Sequence, residues 1–139
     1  MSISPQQLQL LITYSLESRR NAYAPYSGFQ VGSAVLGGNQ KIYGGCNVEN
    51  ASYGLTICAE RNAVFSMIED GCRQILAVAI ALPGGGPPCG ACRQVLAEFG
   101  RDYPIYLIDS ETGNVVAEWN IEKLIPNAFR PDNLSNPPK

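Results

Sequence analysis

A chain of 139 residues, of which 45% are hydrophobic and 16% charged, is long enough to form one domain with its own hydrophobic core. The net charge of −2 and the lack of any run of lysines or arginines argue against a polynucleotide partner. The chain has no histidine, which excludes Ser-His-Asp, Cys-His and HExxH sites built from this chain alone. Because soluble domains typically carry about 25% charged residues, we expect some surface to be buried against further copies of the chain.

The N-terminal residues 1–6 lack the basic start and the apolar core of a signal peptide. No apolar stretch approaches the length needed to span a membrane. We therefore expect a cytoplasmic protein without a membrane partner. In that reducing compartment its five cysteines would be metal ligands or core thiols rather than disulfides.

The first predicted element is a helix. Ser4 is a favourable N-cap, Pro5 suits the first helical position, and Gln7 is placed to close a capping box. Apolar residues then recur at helical spacing until the break at Pro25. The pattern predicts an N-terminal helix over about residues 5–22.

Strand and helix patterns follow one another along the rest of the chain. Residues 29–36 alternate in character and, with residues 41–46, predict a hairpin. The continuous apolar run 75–82 is typical of a central strand that is covered on both faces. The predicted strands are 29–36, 41–46, 75–82, 105–108 and 115–119, and the predicted helices after the first are 58–69 and 89–99.

This order of elements predicts a single α/β domain over residues 1–139. It favours a three-layer α/β/α sandwich with a mixed five-stranded sheet. The core would span about residues 27–119, and the polar stretch 47–56 suits a pocket loop. The C-terminal segment, residues 120–139, is expected to contact a neighbouring subunit, and its proline-rich part from Pro126 onward is expected to be irregular.

Four residues carry the clearest chemical signal: Cys58, Glu60, Cys89 and Cys92. Cys89 and Cys92 lie three positions apart, which on a helix places both sulfur atoms on one face. Zn²⁺ is usually four-coordinate, so three thiolates would leave one position for water, as in catalytic sites. Because histidine is lacking, Glu60 is the candidate general base. We expect Cys58 at a helix start, where the partial positive charge lowers the pKa of a thiol.

Three thiolates give a bound Zn²⁺ a net negative charge, which should be offset nearby. Arg61 and Arg93 each directly follow a site residue, and either could donate to a ligand sulfur. Spacing leaves other interpretations open. The cysteines could be core thiols or a redox pair, or Cys46 or Cys72 could complete a structural four-cysteine zinc site, although neither lies in ligand-like spacing.

Three segments resemble the small, homotetrameric type of cytidine deaminase: residues 47–54, 58–61 and 88–95. The similarity runs from about the first helix to Phe129 and includes residues 26–32 and 124–129. It implies the deaminase fold and one Zn²⁺ per subunit bound by Cys58, Cys89 and Cys92. It also implies hydrolytic deamination of cytidine and deoxycytidine in pyrimidine salvage, with a small nucleoside as the substrate.

The resemblance also implies roles for individual residues. Glu60 would move a proton from the attacking water to N3 of the cytosine ring, and later to the departing amine. Asn47 and Glu49 would bind the ribose hydroxyls, and Phe29 would stack on or wall the base. The other implied substrate-binding residues are Ala51, Ser52, Tyr53, Ala59 and Phe129. Residues 51–53 and Phe129 would reach the site of a neighbouring subunit, so the homotetramer would share its active sites.

Two alternative functions remain at this stage. One is a deaminase that acts on another small aminopyrimidine nucleoside, and the other is a non-catalytic structural zinc module. Turnover of cytidine beside other aminopyrimidines would discriminate the first. Substitution of Glu60 by glutamine, which would leave a structural module unaffected, would discriminate the second.

Overall fold

The computed structural model describes residues 3–138, and within them one five-stranded sheet is packed against α-helices. The helices are α1 (Pro5–Arg19), α2 (Ala59–Glu69), α3 (Gly90–Glu98) and α4 (Ile121–Leu124). The strands are β1 (Gly32–Gly37), β2 (Ile42–Cys46), β3 (Ile75–Leu82), β4 (Pro104–Asp109) and β5 (Val115–Asn120). Short 3-10 turns occur at Tyr53–Leu55 and Pro131–Asn133.

The sheet is mixed, with the strand order β2-β1-β3-β4-β5. Strand β1 pairs antiparallel with β2 and with β3, and β4 pairs antiparallel with β5. Strands β3 and β4 are parallel and are connected through α3. A parallel pair needs such a crossover, because a tight turn cannot return the chain to the same end of the sheet. The order places β3 at the centre, as its apolar run predicted.

Helices cover both faces of the sheet, which confirms the three-layer prediction. Ala34 and Leu36 of β1 face Leu11 of α1 in one core cluster. Val35, between them, faces the other side, where Val64 of α2 and the apolar residues of α3 pack. Successive strand residues point to opposite faces, so a single strand supplies both cores.

The start of α1 follows the predicted chemistry. The Gln7 backbone N–H donates to Ser4 Oγ at 3.1 Å, and the Ser4 N–H donates to the Gln7 side chain at 2.9 Å. The end differs from the prediction, because the helix stops at Arg19 rather than near residue 22. Beyond it the chain turns so that the Tyr23 N–H donates to the Asn47 carbonyl at 3.0 Å. That non-local pairing cannot be read from helical periodicity.

Two further boundaries differ from the predictions. Strand β1 begins at Gly32, so Phe29 lies in the loop before it and not in a strand. The Gly28 backbone is left-handed there, with φ 70°. The short helix α4 was not predicted from the sequence. It forms because the Asn120 side chain caps its start and because Ile121 and Leu124 enter the core.

The C-terminal segment thus begins with α4, which ends before the proline-rich part that starts at Pro126. Ile121 and Leu124 are buried within the chain's own core, so contact with a neighbouring copy would fall to the residues that follow them. In the described part of the chain, none of the helices is both long and apolar enough to cross a membrane.

Candidate active site

The three predicted zinc ligands lie at the N-terminal ends of α2 and α3. Cys58 is the N-cap residue of α2 and Cys89 the N-cap residue of α3, while Cys92 lies in the first turn of α3. This confirms the expectation that Cys58 precedes its helix. Neither N-cap cysteine makes a side-chain capping bond. The sulfur atoms of Cys58 and Cys89 lie 3.9 Å apart.

The cysteine cluster has the dimensions of a zinc site. The sulfur atoms of Cys58, Cys89 and Cys92 all lie within 4.8 Å of one another. A tetrahedral ion with Zn–S bonds of about 2.3 Å requires sulfur separations of about 3.8 Å. Among residues 3–138 this cluster includes neither Cys46 nor Cys72. The site therefore suits one Zn²⁺ with three protein ligands and a fourth position for water, rather than a closed four-cysteine site.

A cation lies directly beside the cluster. Arg61 Nη2 donates to the Cys58 sulfur at 3.4 Å. The Cys92 thiol and the Arg61 guanidinium, both donating toward that sulfur, lower the pKa of Cys58 to about 5. The negative Cys58 sulfur in turn holds the pKa of the Cys92 thiol well above its usual range. Arg61 stays cationic, because its contact with Cys58 raises its own pKa.

Arg93 has different partners from those expected. Its Nε donates to the Pro88 carbonyl at 2.8 Å, and its Nη1 donates to the Leu124 carbonyl at 2.8 Å. The guanidinium therefore lies on backbone oxygens rather than on a ligand sulfur. The sequence placed Arg93 beside Cys92, but neighbouring positions on a helix point in different directions.

Glu60 is in the first turn of α2 and is 5% exposed. Burial raises the pKa of its carboxyl group to about 6, and the negative Cys58 sulfur adds to that effect. Its own backbone N–H and the Cys92 thiol act in the opposite direction. A carboxyl group that is buried beside a metal site is the kind of group that general acid–base chemistry uses.

A cavity of about 320 Å³ opens beside Glu60 and Cys58. This volume is in the range of small-molecule sites, about 300–1,000 Å³. Its walls bring together the following predicted site residues: Phe29, Asn47, Glu49, Cys58, Ala59 and Glu60. It is also lined by residues that were not predicted: Ser27, Val31, Thr56, Leu82 and Pro87.

Asn47 holds the loop that carries Phe29. Its Oδ1 accepts from the Val31 N–H at 2.9 Å, and its Nδ2 donates to the Phe29 carbonyl at 2.8 Å. The side chain is 92% buried by these contacts, with 8% exposed. An amide oxygen has two lone pairs and an amide nitrogen two hydrogens, so each atom retains one position for a ligand.

Glu49 is held by the same loop from the other side. Its Oε1 accepts from the backbone N–H groups of Tyr26 and Ser27 at 3.0 and 3.1 Å, and its Oε2 accepts from the Ser27 hydroxyl. The hydroxyl of Ser27 and these N–H groups hold the pKa of Glu49 below its usual range. Sequence reasoning missed Ser27, although it lies in a segment, residues 26–32, that shares the family resemblance.

The predicted residues Ala51, Ser52, Tyr53 and Phe129 lie outside the wall of this cavity. The Tyr53 side chain is 75% exposed and that of Phe129 is 60% exposed. Tyr53 lines an adjoining cleft of about 250 Å³ that shares Ser27, Glu49 and Thr56 with the cavity. The structure therefore does not bring these four residues to the chain's own zinc ligands.

The chain matches a known family model. The model of the cytidine and deoxycytidylate deaminase zinc-binding region matches residues 5–108. The chain is 44% identical to cytidine deaminase from Sporosarcina psychrophila over 131 residues, which is 92% of this chain and 95% of the relative. It is 42% identical to cytidine deaminase from Halalkalibacterium halodurans over 134 residues, 92% of this chain and 98% of the relative.

Solved structures show the same likeness in three dimensions. A crystal structure of cytidine deaminase from Burkholderia pseudomallei superposes with a TM-score of 0.81 at 43% identity, and the match covers 87% of this chain and 98% of that one. For cytidine deaminase from Mycobacterium tuberculosis the TM-score is 0.76 at 36% identity, covering 88% and 96%. The residues matched by the family model, 5–108, include the N-terminal ends of both helices that carry the cysteines.

Proposed function

The chain belongs to the cytidine and deoxycytidylate deaminase family, and on that premise we propose that it is a zinc-dependent cytidine deaminase. It converts cytidine and deoxycytidine to uridine and deoxyuridine with release of ammonia. The observation that carries the proposal is a cluster of three thiols, one of which, Cys58, lines a cavity of about 320 Å³ together with the buried Glu60. That arrangement suits metal-assisted hydrolysis of a small ligand.

Zinc, when bound by Cys58, Cys89 and Cys92, supplies Lewis-acid chemistry that makes a water molecule more acidic. The Glu60 carboxylate accepts a proton from that water and delivers it to N3 of the cytosine ring as the oxygen attacks C4. Glu60 would then take the remaining proton from the new C4 hydroxyl and pass it to the amine, so that the C4–N bond breaks and water and cytidine yield uridine and ammonia. The burial of Glu60 supports this role, because a site that excludes bulk water limits the loss of protons to solvent.

The rest of the cavity selects the nucleoside. We assign Asn47 and Glu49 to the ribose hydroxyls, because each has hydrogen-bonding capacity left after holding the loop at residues 26–31. Phe29 is assigned to one face of the base and Ala59 to its edge, next to Glu60. These assignments are supported by their shared position on the cavity wall.

We propose a homotetramer with shared active sites. Phe129 and Tyr53 are large side chains that are mostly exposed, and they lie away from the chain's own zinc ligands. Apolar groups of this size gain about 1.5–3 kcal/mol each when fully buried. Residues 51–53 and Phe129 would gain that burial by completing the cavity of a neighbouring subunit.

A cytoplasmic role in pyrimidine salvage is consistent with the same chemistry. Zinc ligands of this type must be thiolates, and all five cysteines are free in the structure. A reducing compartment keeps them in that state. The substrate would be the free nucleoside, in keeping with the net charge of −2 and the size of the cavity.

One measurement tests this function directly: zinc content and ammonia release from cytidine, determined on the same sample. We expect one zinc per chain and turnover of cytidine. Faster turnover of another aminopyrimidine nucleoside would reassign the substrate, and zinc without any turnover would favour a structural module. Comparable deamination of cytosines in single-stranded DNA or RNA would overturn the assignment to free nucleosides.

A further inference from the structure

The helix that carries two zinc ligands also holds the segment of chain that leads to Phe129. We call residues 124–130 the C-terminal arm. Side-chain to backbone hydrogen bonds connect α3 to this arm at successive points along the helix. The known chemistry of the site does not use these bonds.

Arg93 makes the first connection, and its guanidinium donates to two backbone carbonyl groups at once, an arrangement that we call the fork. Its Nε holds the Pro88 carbonyl, directly before the ligand Cys89, while its Nη1 holds the Leu124 carbonyl at the start of the arm. Both distances are 2.8 Å. A planar guanidinium fixes the angle between its two acceptors, which a lysine ammonium cannot do.

Gln94 and Arg130 make the other connections. Gln94 Nε2 donates to the carbonyl of Phe129 itself at 2.8 Å. Arg130 Nη1 donates back to the carbonyls of Ala97 and Gly100 at the C-terminal end of α3, where carbonyl groups lack helical partners. The arm thus follows α3 from its first turn to its end.

We propose that Arg93 and Gln94 are positioning residues that fix the C-terminal arm to the zinc-ligand helix. The helix α3, which positions Cys89 and Cys92, would thereby also position Phe129. The catalytic consequence rests on the proposed function, in which Phe129 enters a neighbouring site. The attachment itself does not depend on that function.

The physical advantage is that the arm is ordered before the nucleoside binds. An exposed phenylalanine on a free segment would lose backbone and side-chain conformational entropy on closing over a ligand. An arm already held by its backbone avoids part of that cost. Because Arg93 also holds Pro88, loosening it should disturb the loop that presents Cys89.

Chymotrypsin cleavage after Phe129 reports how often the arm opens. We expect Gln94→Ala to increase this cleavage about threefold to tenfold, the value of one hydrogen bond, when local opening is fast relative to cleavage. Zinc content should be unchanged, and the KM for cytidine should rise with kcat nearly constant. Gln9→Ala, an exposed glutamine on α1, is the matched control and should change none of these quantities.

Arg93→Lys tests the fork. We expect faster cleavage after Phe129 together with faster loss of zinc to a chelator, whereas the exposed Arg20→Lys should match the wild type. Unchanged cleavage and unchanged KM in Gln94→Ala would overturn the proposal, even if Arg93→Lys failed to fold. Wild-type protein without cytidine turnover would instead overturn the proposed function, since the cleavage and chelator measurements need no turnover.

Discussion

At the scale of single residues, burial separates Glu60 from an ordinary surface carboxylate. It is 5% exposed and lies two positions after Cys58 in the chain. On a regular helix, residues that are two positions apart point to nearly opposite sides, yet Cys58 and Glu60 both line the cavity. This is possible because Cys58 is the N-cap, with extended backbone angles, rather than a helical residue.

We expect Glu60→Gln to keep zinc and to lower kcat about 10²- to 10⁴-fold, the usual contribution of a general acid–base group. Glutamine matches the size of glutamate but cannot accept the proton of the attacking water. Steady-state kinetics with metal analysis of the same preparation would check this. Glu69→Gln, on the exposed C-terminal end of α2, is the control and should behave as wild type. Near-normal turnover by Glu60→Gln would contradict the assigned role.

Arg61 is the second residue-scale prediction. Arg61→Gln removes the cation that donates to the Cys58 sulfur, and we expect zinc affinity to fall about 10- to 100-fold, as for other partners of metal ligands. Competition with a chelator would measure it. Arg73→Gln, an exposed arginine in the loop after α2, should leave the affinity unchanged. Equal affinities for Arg61→Gln and the wild type would show that the charge of the thiolates is offset elsewhere.

At the scale of elements, α1 and the sheet approach each other unusually closely. A Cβ at Gly32 of β1 would lie 2.0 Å from the Ser15 carbonyl oxygen and 2.6 Å from the Arg19 nitrogen. Both are backbone atoms, so the helix itself would have to move. Ser15 is buried, and its hydroxyl donates to the Ile12 carbonyl within α1.

We therefore expect Gly32→Ala to destabilise the fold by about 1–3 kcal/mol or more, the cost of overpacking. The urea midpoint of unfolding would show it. Gly54→Ala is the matched control, because a Cβ there meets no atom within 4 Å among the described residues. A midpoint for Gly32→Ala equal to that of Gly54→Ala would mean that α1 can shift at little cost.

The loop before β1 shows how elements cooperate at the site. Asn47, directly after β2, and Glu49 hold residues 26–31, because their side-chain oxygens accept from backbone N–H groups of that loop. That loop in turn places Phe29 on the cavity wall. The alternating pattern of residues 29–36 predicted that Phe29 lies in a strand. An extended segment shows the same pattern whether it pairs with a neighbouring strand or is held by side chains, so the sequence could not distinguish the two.

At the scale of the whole molecule, Phe129 is mostly exposed and does not line the cavity of its own chain. We expect Phe129→Ala to raise the KM for cytidine while zinc content stays at the wild-type level. Leu134→Ala, which removes another exposed apolar side chain of the C-terminal segment, is the control. Unchanged kinetics in Phe129→Ala would contradict the shared site.

Mixed oligomers would distinguish a shared site from a local effect. Co-expression of Glu60→Gln with Phe129→Ala subunits should restore a fraction of sites that have wild-type KM, because one subunit supplies Glu60 and its neighbour supplies Phe129. Kinetics equal to the sum of the two separate variants would mean that Phe129 serves its own chain.

Elements that depend on local interactions can be predicted from the sequence alone. The capping box at Ser4 and Gln7, the apolar run of β3 and the helix starts at Cys58 and Cys89 depend on neighbours within a few residues, and the structure confirms each. The motifs also predicted the chemistry of the site, because three clustered cysteines in a chain without histidine are compatible with few kinds of catalytic site. These features are predictable because short-range sterics and hydrogen bonding decide them.

The contacts between distant residues, in contrast, depend on how the elements pack together. Arg61 donates to a cysteine sulfur, whereas Arg93 donates to two carbonyl groups. The sequence could not predict this difference, because each arginine directly follows a site residue and only the folded structure decides which acceptors lie near it. Helix α4 likewise exists because its apolar residues find space in the core. Such contacts join residues that are far apart in the chain, and their geometry is set by packing between elements, which local patterns do not specify.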